Sequence, residues 1–139
     1  MSKLRTFLGF DFGMKNIGVA VGQELTKTAN PLTVIKAREG IPNWDQIKTL
    51  LDQWSPQLLV VGLPINMDGS EQEMTAAARR FGNRLNGRFH IPVDWQDERL
   101  TTFEALDQLG IRSKMQSNKR GDVDRISAQL ILQSWLNQQ

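Results

Sequence analysis

The stretch that decides the fold runs from Thr6 to Gly22 and reads TFLGFDFGMKNIGVAVG. It holds two apolar runs, Thr6 to Phe12 and Ile17 to Gly22, separated by Gly13-Met14-Lys15-Asn16. Apolar runs on either side of a glycine-bearing turn predict a β-hairpin. One charged residue, Asp11, interrupts the first of these strands.

Strand and helix patterns alternate after the hairpin. A third strand is predicted over Leu32 to Ala37, after Pro31. Helical spacing then predicts a helix from Trp44 to Trp54, with Asn43 and Gln46 in a capping box and Pro56 marking the end. Gln57 to Gly62 is apolar after its first residue, which is typical of a parallel strand buried on both faces.

The second half predicts three helices and one strand. A helix should begin at Ser70, with Glu73 as capping-box partner, and end at Gly87. Its predicted buried stripe is Met74, Ala77, Ala78, Phe81 and Leu85. A fifth strand follows at Ile91 to Gln96, then a helix from Thr101 to about Leu109, a basic loop from Gly110 to Gly121, and a terminal helix from Val123 to Leu136. In the terminal helix, Val123, Ile126, Leu130 and Ile131 should face inward.

This order of elements predicts an α/β fold with one domain over residues 1–139. We expect a five-stranded mixed sheet in the order 3-2-1-4-5, with strand 2 antiparallel and helices flanking the sheet. That is the topology of a ribonuclease H-like sheet. No secretory signal and no run of eighteen apolar residues is present, so we expect a cytoplasmic protein without a membrane span.

Composition restricts the kind of metal site that the chain can build. There is no cysteine and only one histidine, His90, so disulfides, thiolate sites and histidine-rich sites are excluded. Any metal must be a hard cation on carboxylates, which points to Mg²⁺ or Mn²⁺. The formal net charge is only +2, so it argues weakly for a nucleic-acid partner.

Asp11 is the first candidate ligand, because an ionised carboxylate in an apolar strand is costly unless a cation compensates it. The alternative is that Asp11 hydrogen-bonds the turn at Gly13. Parallel strands end at one edge of such a sheet, where binding crevices form. Three segments should meet there: Asp11, Gly62-Leu63-Pro64 and Asp97-Glu98-Arg99.

Further acids lie close to this predicted edge. Glu98 is a better ligand candidate than Asp97, which could instead cap the helix near Thr101. Asp122 and Asp124 both begin the terminal helix, where the helix dipole favours carboxylates with or without chemistry, and spacing does not choose between them.

Three carboxylates without histidine suit a two-metal phosphodiester hydrolase. Several cations could neutralise the phosphates of a nucleic-acid partner, although each could also be a solvated surface charge. They are Lys15, Arg99, Lys119 and Arg120 near the edge, and Arg80, Arg84 and Arg88 along one face of the second helix.

Four ordered motifs resemble those of the YqgF family, the Holliday-junction-resolvase-like proteins of the ribonuclease H-like superfamily. They are Asp11-Phe-Gly-Met-Lys-Asn-Ile-Gly-Val-Ala-Val-Gly22, Val61-Gly-Leu-Pro-Ile-Asn-Met-Asp-Gly69, Asp97-Glu-Arg-Leu-Thr-Thr102 and Val123-Asp-Arg-Ile-Ser-Ala128. The resemblance spans nearly the whole chain.

The resemblance implies a metal-dependent nuclease whose catalytic acids match Asp11, Glu98 and Asp124, which favours Asp124 over Asp122. It also implies one of two substrates, the 5′ end of the small-subunit ribosomal RNA precursor or branched DNA at a Holliday junction. Many members have an arginine where this sequence has Asn16, and Lys15 could supply that charge.

Two other interpretations compete with a nuclease. The Asp11 hairpin is similar to the phosphate-binding hairpin of the actin, hexokinase and Hsp70 ATPases, but those proteins enclose a nucleotide between two such domains. A non-catalytic nucleic-acid-binding factor is the stronger alternative. Clustered acids argue against it, because a pure binder of a polyanion gains nothing from carboxylates beside the phosphate unless a metal is present.

Overall fold

The computed structural model describes residues 5–100 and 120–139, with the side chains of the last segment described from 123 onward. The strands and helices are β1 (Thr6–Asp11), β2 (Asn16–Gln23), β3 (Thr28–Arg38), β4 (Ile41–Pro42), α1 (Trp44–Trp54), β5 (Leu58–Leu63), α2 (Glu73–Phe89), β6 (Val93–Asp97) and α3 (Arg120–Asn137). A 3-10 turn, Glu98–Leu100, follows β6. The predicted helix from Thr101 lies outside the described residues, as does the predicted basic loop up to residue 119.

The strands form one mixed sheet in the order β4-β3-β2-β1-β5-β6. β2 pairs antiparallel with both β1 and β3, whereas β5 pairs parallel with β1 and β6 parallel with β5. The predicted order of the five long strands and the antiparallel β2 are therefore confirmed. The parallel strands β1, β5 and β6 all end at the same edge, which we name the carboxyl edge.

The predicted number of strands was wrong, because β4 adds a sixth at the far side of β3. Glu39 and Gly40 make the turn between them, with φ values of 51° and 81°. Two consecutive residues at positive φ match a tight hairpin turn. A two-residue strand has no periodicity to read, and only the Glu39-Gly40 pair could have signalled it.

β3 is also longer than predicted, since it begins at Thr28 rather than Leu32 and runs through Pro31. The pairing with β2 is irregular between Val19 and Ala20, next to the position where Pro31 pairs. Proline has no N–H to donate, and an irregularity of this kind lets a strand include one.

The sheet has two very different faces. One face packs its large side chains against α1 and α2. These residues include Leu8, Phe10, Ile17, Val19, Ile35, Leu59 and Val61 from the strands and Ile47, Leu51, Ala77, Ala78, Phe81 and Leu85 from the helices, as predicted for α2. The face beneath α3 is lined with glycine: an added Cβ would lie 2.8 Å from Leu132 at Gly9 and 3.0 Å from the same side chain at Gly22. α3 therefore lies unusually close to the sheet.

The helix ends follow the sequence in α1 but not in α2. The Asn43 side chain accepts hydrogen bonds from the N–H groups of Asp45 and Gln46, which confirms the predicted cap. α2 begins at Glu73 rather than Ser70, because the Ser70 N–H donates to Asp68 within the preceding turn. The N-cap is Gln72 instead, and its N–H donates to the Thr75 side chain at 3.1 Å. The helix also passes through Gly87, which is exposed, and ends at Phe89.

α3 begins at Arg120, so the last two residues of the predicted basic loop are helical. Ile126, Leu130 and Ile131 are buried as predicted, and Val123 is half-buried. Two buried glutamines tie the helix to β3. The Gln133 side chain accepts from the Ala29 N–H at 2.9 Å, and that of Gln129 donates to the Ala29 carbonyl at 3.0 Å. Among the described residues, no helix is long and apolar enough to span a bilayer.

Candidate active site

Asp11 is the last residue of β1, so it stands at the carboxyl edge between β2 and β5. Its carboxylate is half-buried and has no hydrogen-bond or ion-pair partner among the described residues. Burial, then the charge of Glu98, then that of Asp124 raise the pKa of Asp11 to about 7. The predicted alternative, in which the Asp11 carboxylate accepts a hydrogen bond from the turn at Gly13, is not found among the described residues.

Glu98 follows β6 directly and opens the 3-10 turn. Its carboxyl carbon lies 3.3 Å from the position that a Cβ would take on Gly62 of β5. Burial, then the neighbouring Asp97, raise the pKa of Glu98. Glu98 therefore leans back over the sheet towards β5.

Asp124 comes from the first turns of α3, and its approach depends on Gly18. Gly18 pairs directly with Asp11, and a Cβ on Gly18 would collide with the Asp124 carbonyl. Any other residue at position 18 would push this end of α3 away from the sheet. The side chain of the rival candidate, Asp122, lies outside the described residues.

Glycine therefore flanks Asp11 on both sides at the carboxyl edge. Gly18 on β2 makes room for the backbone of α3. Gly62 on β5 makes room for the Glu98 carboxyl group and for Ile131, whose Cδ1 lies 2.5 Å from the position that a Cβ would take on Gly62. The sequence places Gly62 at this edge but does not predict that either glycine makes room for a neighbouring acid. A signal was present, since each glycine interrupts an otherwise apolar strand, where it lacks a side chain to pack.

Asp97 and Arg99 are engaged with each other. Arg99 Nη2 lies 2.7 Å from the Asp97 carboxylate, and this pairing lowers the pKa of Asp97. Arg99 also donates to the carbonyls of Asn66 and Met67 at 3.4 and 3.5 Å. Asp97 thus holds the turn after β5 through Arg99, which leaves Glu98 as the acid facing Asp11.

The other predicted cations are more scattered. Lys15 is exposed in the turn after β1, beside the carboxyl edge. Arg80 and Arg84 are exposed on α2, on the far face of the sheet from α3, and Arg88 lies over the Trp44 ring at 4.2 Å. Lys119 and the side chain of Arg120 lie outside the described residues.

The donor set at the edge fits a hard divalent cation, because carboxylate oxygens are the ligands that Mg²⁺ and Mn²⁺ prefer. These residues match such a cation in the type of their ligand atoms and in their location at one edge of the sheet. Within residues 5–100 and 123–139, no three acidic or imidazole side chains are already close enough to enclose one ion. Like charges repel at this range, and repulsion from Glu98 and Asp124 contributes to the raised pKa of Asp11.

A family model described as "RuvX: Holliday junction resolvase" matches residues 5–138. This chain belongs to the RuvX family. RuvX and YqgF are two names for one family, so the family predicted from the sequence motifs is confirmed. A relative from Nitrosococcus oceani is 58% identical over 99% of this chain and 90% of its own length. One from Aeromonas hydrophila is 58% identical over 97% of this chain and 96% of its own. Both bear the name "Putative pre-16S rRNA nuclease".

Solved structures confirm the fold class of this RuvX member. Thermus thermophilus RuvC in complex with Holliday junction substrate superposes with a TM-score of 0.57 at 15% identity, over 96% of this chain and 94% of that one. The fowlpox virus resolvase with substrate Holliday junction DNA gives 0.54 at 14% identity, over 96% and 97%. At these identities the likeness concerns the ribonuclease H-like fold alone.

Proposed function

We propose that this RuvX protein is a metal-dependent nuclease that hydrolyses phosphodiester bonds at the carboxyl edge, and that its substrate is the 5′ end of the small-subunit ribosomal RNA precursor. The observation that carries the proposal is the convergence of three acidic residues at the carboxyl edge. Asp11 ends β1, and the backbone of Asp124 lies against Gly18, the residue that pairs with Asp11. The Glu98 carboxyl carbon lies 3.3 Å from the Cβ position of Gly62 on the neighbouring strand. The names of the relatives support the substrate.

In this proposal, Asp11, Glu98 and Asp124 hold Mg²⁺ or Mn²⁺. Bound divalent ions would lower the pKa of the attacking water and stabilise the leaving oxygen. Asp11 must be ionised to act as a ligand, and its pKa is raised to about 7. Activity at limiting metal should therefore rise as the pH passes through about 7, because metal binding then no longer has to displace a proton.

Positively charged side chains would position the nucleic acid. Lys15 lies beside the carboxyl edge and would contact a phosphate near the cleaved bond. Lys119 and Arg120 precede Asp124 in the chain and would contact phosphates too, whereas Arg99, next to Glu98, is paired with Asp97. Arg80 and Arg84, farther away on α2, would contact the backbone outside the cleavage site. We place this activity in the cytoplasm.

The decisive experiment compares the wild type with Asp11→Asn and Asp52→Asn on precursor ribosomal RNA, with Mg²⁺ or Mn²⁺. Asp52 is a matched control, because it loses the same charge from the exposed surface of α1. We expect the wild type and Asp52→Asn to cut the RNA at the 5′ end, and Asp11→Asn to bind without cutting. Binding without cleavage by all three proteins would support a non-catalytic binding factor instead.

A second candidate substrate is the four-way DNA junction, which is favoured by the description of the matching family. The same three proteins should therefore be incubated with a mobile junction under the same conditions. Paired, symmetric nicks across the junction by the wild type, with intact ribosomal RNA precursor, would support the resolvase activity and refute the RNA assignment.

A further inference from the structure

Gln96 of β6 is a buried side chain whose amide nitrogen has no partner among the described residues. It is 3% exposed, and its Nε2 group makes no hydrogen bond within residues 5–100 and 120–139. A buried donor that has left water without gaining a partner costs free energy. An apolar side chain of the same size would avoid that cost, so the amide calls for an explanation.

The pattern of β6 shows where this amide lies. Asp94 reaches α3, where it accepts a hydrogen bond from Trp135 Nε1 at 2.8 Å, whereas Trp95 packs against Gly82 of α2. Successive side chains of a strand alternate between faces, so Gln96 shares the α3 face with Asp94.

Gln96 also lies in line with the candidate acids. It pairs with Gly62 on β5, the glycine whose missing Cβ makes room for the Glu98 carboxyl group. Paired residues of parallel strands point to the same face, so the Gln96 side chain lies on the face where the Glu98 carboxyl group approaches Gly62. The Glu98 carboxylate, in turn, accepts no hydrogen bond from any residue in the described part of the chain.

We infer that Gln96 is a positioning residue, whose Nε2 donates a hydrogen bond to the Glu98 carboxylate when that carboxylate holds the cation. The inference rests on the metal site of the proposed function. A carboxylate that binds a metal through one oxygen is oriented by a hydrogen bond to the other, and removing such a partner typically weakens metal affinity about 10- to 100-fold. In the metal-free protein the Gln96 amide nitrogen is unpaired among the described residues, so it is available to donate to Glu98 once that carboxylate is ionised and binds the cation.

The test is Gln96→Met, which keeps the length and volume of the side chain but removes the donor. Trp54→Phe is the matched control, because Trp54 Nε1 is also buried without a partner, but on α1 at the opposite face of the sheet. For each protein we would measure the free energy of unfolding without metal, the affinity for Mn²⁺ alone by calorimetric titration, and the cleavage rate.

We expect Gln96→Met to be at least as stable as the wild type without metal, yet to bind Mn²⁺ at least about tenfold more weakly. Trp54→Phe should bind Mn²⁺ as the wild type does. Wild-type Mn²⁺ affinity in Gln96→Met would overturn the inference, and so would a loss of metal-free stability, which would make the amide a structural element. If the wild type binds Mn²⁺ but cuts no nucleic acid, the proposed function is refuted. The Mn²⁺ affinities of the three proteins still decide the role of Gln96 in that case.

Discussion

Replacing Asp11 with asparagine should stabilise the metal-free protein, and the gain should grow with pH. The folded pKa of Asp11 is about 7, against an ordinary value of 3.8. A raised carboxyl pKa means that the folded state holds the proton more tightly than the unfolded state. Ionising Asp11 above pH 7 therefore costs folding free energy, and asparagine, which has nearly the same shape, avoids that cost.

The size of the effect follows from the pKa. Each pH unit between 3.8 and about 7 adds about 1.4 kcal/mol, so the gain is below about 1 kcal/mol at pH 4 and about 4 kcal/mol above pH 7. For a domain of this length, that corresponds to a rise in Tm of roughly 10 °C at pH 8. Thermal unfolding of wild type and Asp11→Asn in EDTA, at several pH values, measures it directly.

Asp97→Asn is the control, because its pairing with Arg99 shifts the pKa of Asp97 in the opposite direction. A lowered carboxyl pKa stabilises the fold at neutral pH and loses that effect as the pH falls through the folded pKa, so Asp97→Asn should destabilise the protein at pH 7. A Tm of Asp11→Asn that is lower than the wild-type value in EDTA at pH 8, or a gain that does not vary with pH, would refute the reasoning.

Four further substitutions test the packing of the helices and the sheet. Gly18→Ala should lower both Tm and Mn²⁺ affinity, because the added Cβ would displace the Asp124 carbonyl. Gly87→Ala adds a Cβ in open space at an exposed helical position, so it should raise the free energy of unfolding by up to about 1 kcal/mol, and Tm with it. Equal effects of these two alanines would contradict the close approach of α3. Gln133→Leu should cost about 1–3 kcal/mol in chemical denaturation, since it leaves the buried Ala29 N–H of β3 without its side-chain acceptor. Phe81→Ala should cost about 3–5 kcal/mol in the same assay, and a cost below about 1 kcal/mol would place this ring outside the core.

The long elements could be predicted because their local signals agree with the global fold. The apolar runs of β1 and β2 predicted the hairpin, the wholly apolar β5 predicted a central parallel strand, and Asn43 began α1 as expected. Each signal extends over several residues of one element. Asp11 could be singled out for the same reason, since it is the one acid in an apolar strand.

Other features depend on residues that meet only in three dimensions. Ser70 resembled a helix cap, but Asp68 two residues earlier competes for its N–H, so α2 starts later. Arg99 resembled a phosphate-binding side chain, but it is paired with Asp97. The role of Gly18 becomes visible only when α3 is packed on the sheet, because its collision partner is far along the chain.

The glycine-lined face beneath α3 also has a consequence for folding kinetics. The hairpin that carries Asp11 forms from local contacts, whereas Asp124 arrives only when a helix from the other end of the chain docks on that hairpin. Such non-local contacts make loop closure costly and tend to slow folding. The carboxylates also approach one another in this docking step, so their repulsion should slow it further. Because divalent cations would offset that repulsion, they should accelerate the final phase of refolding.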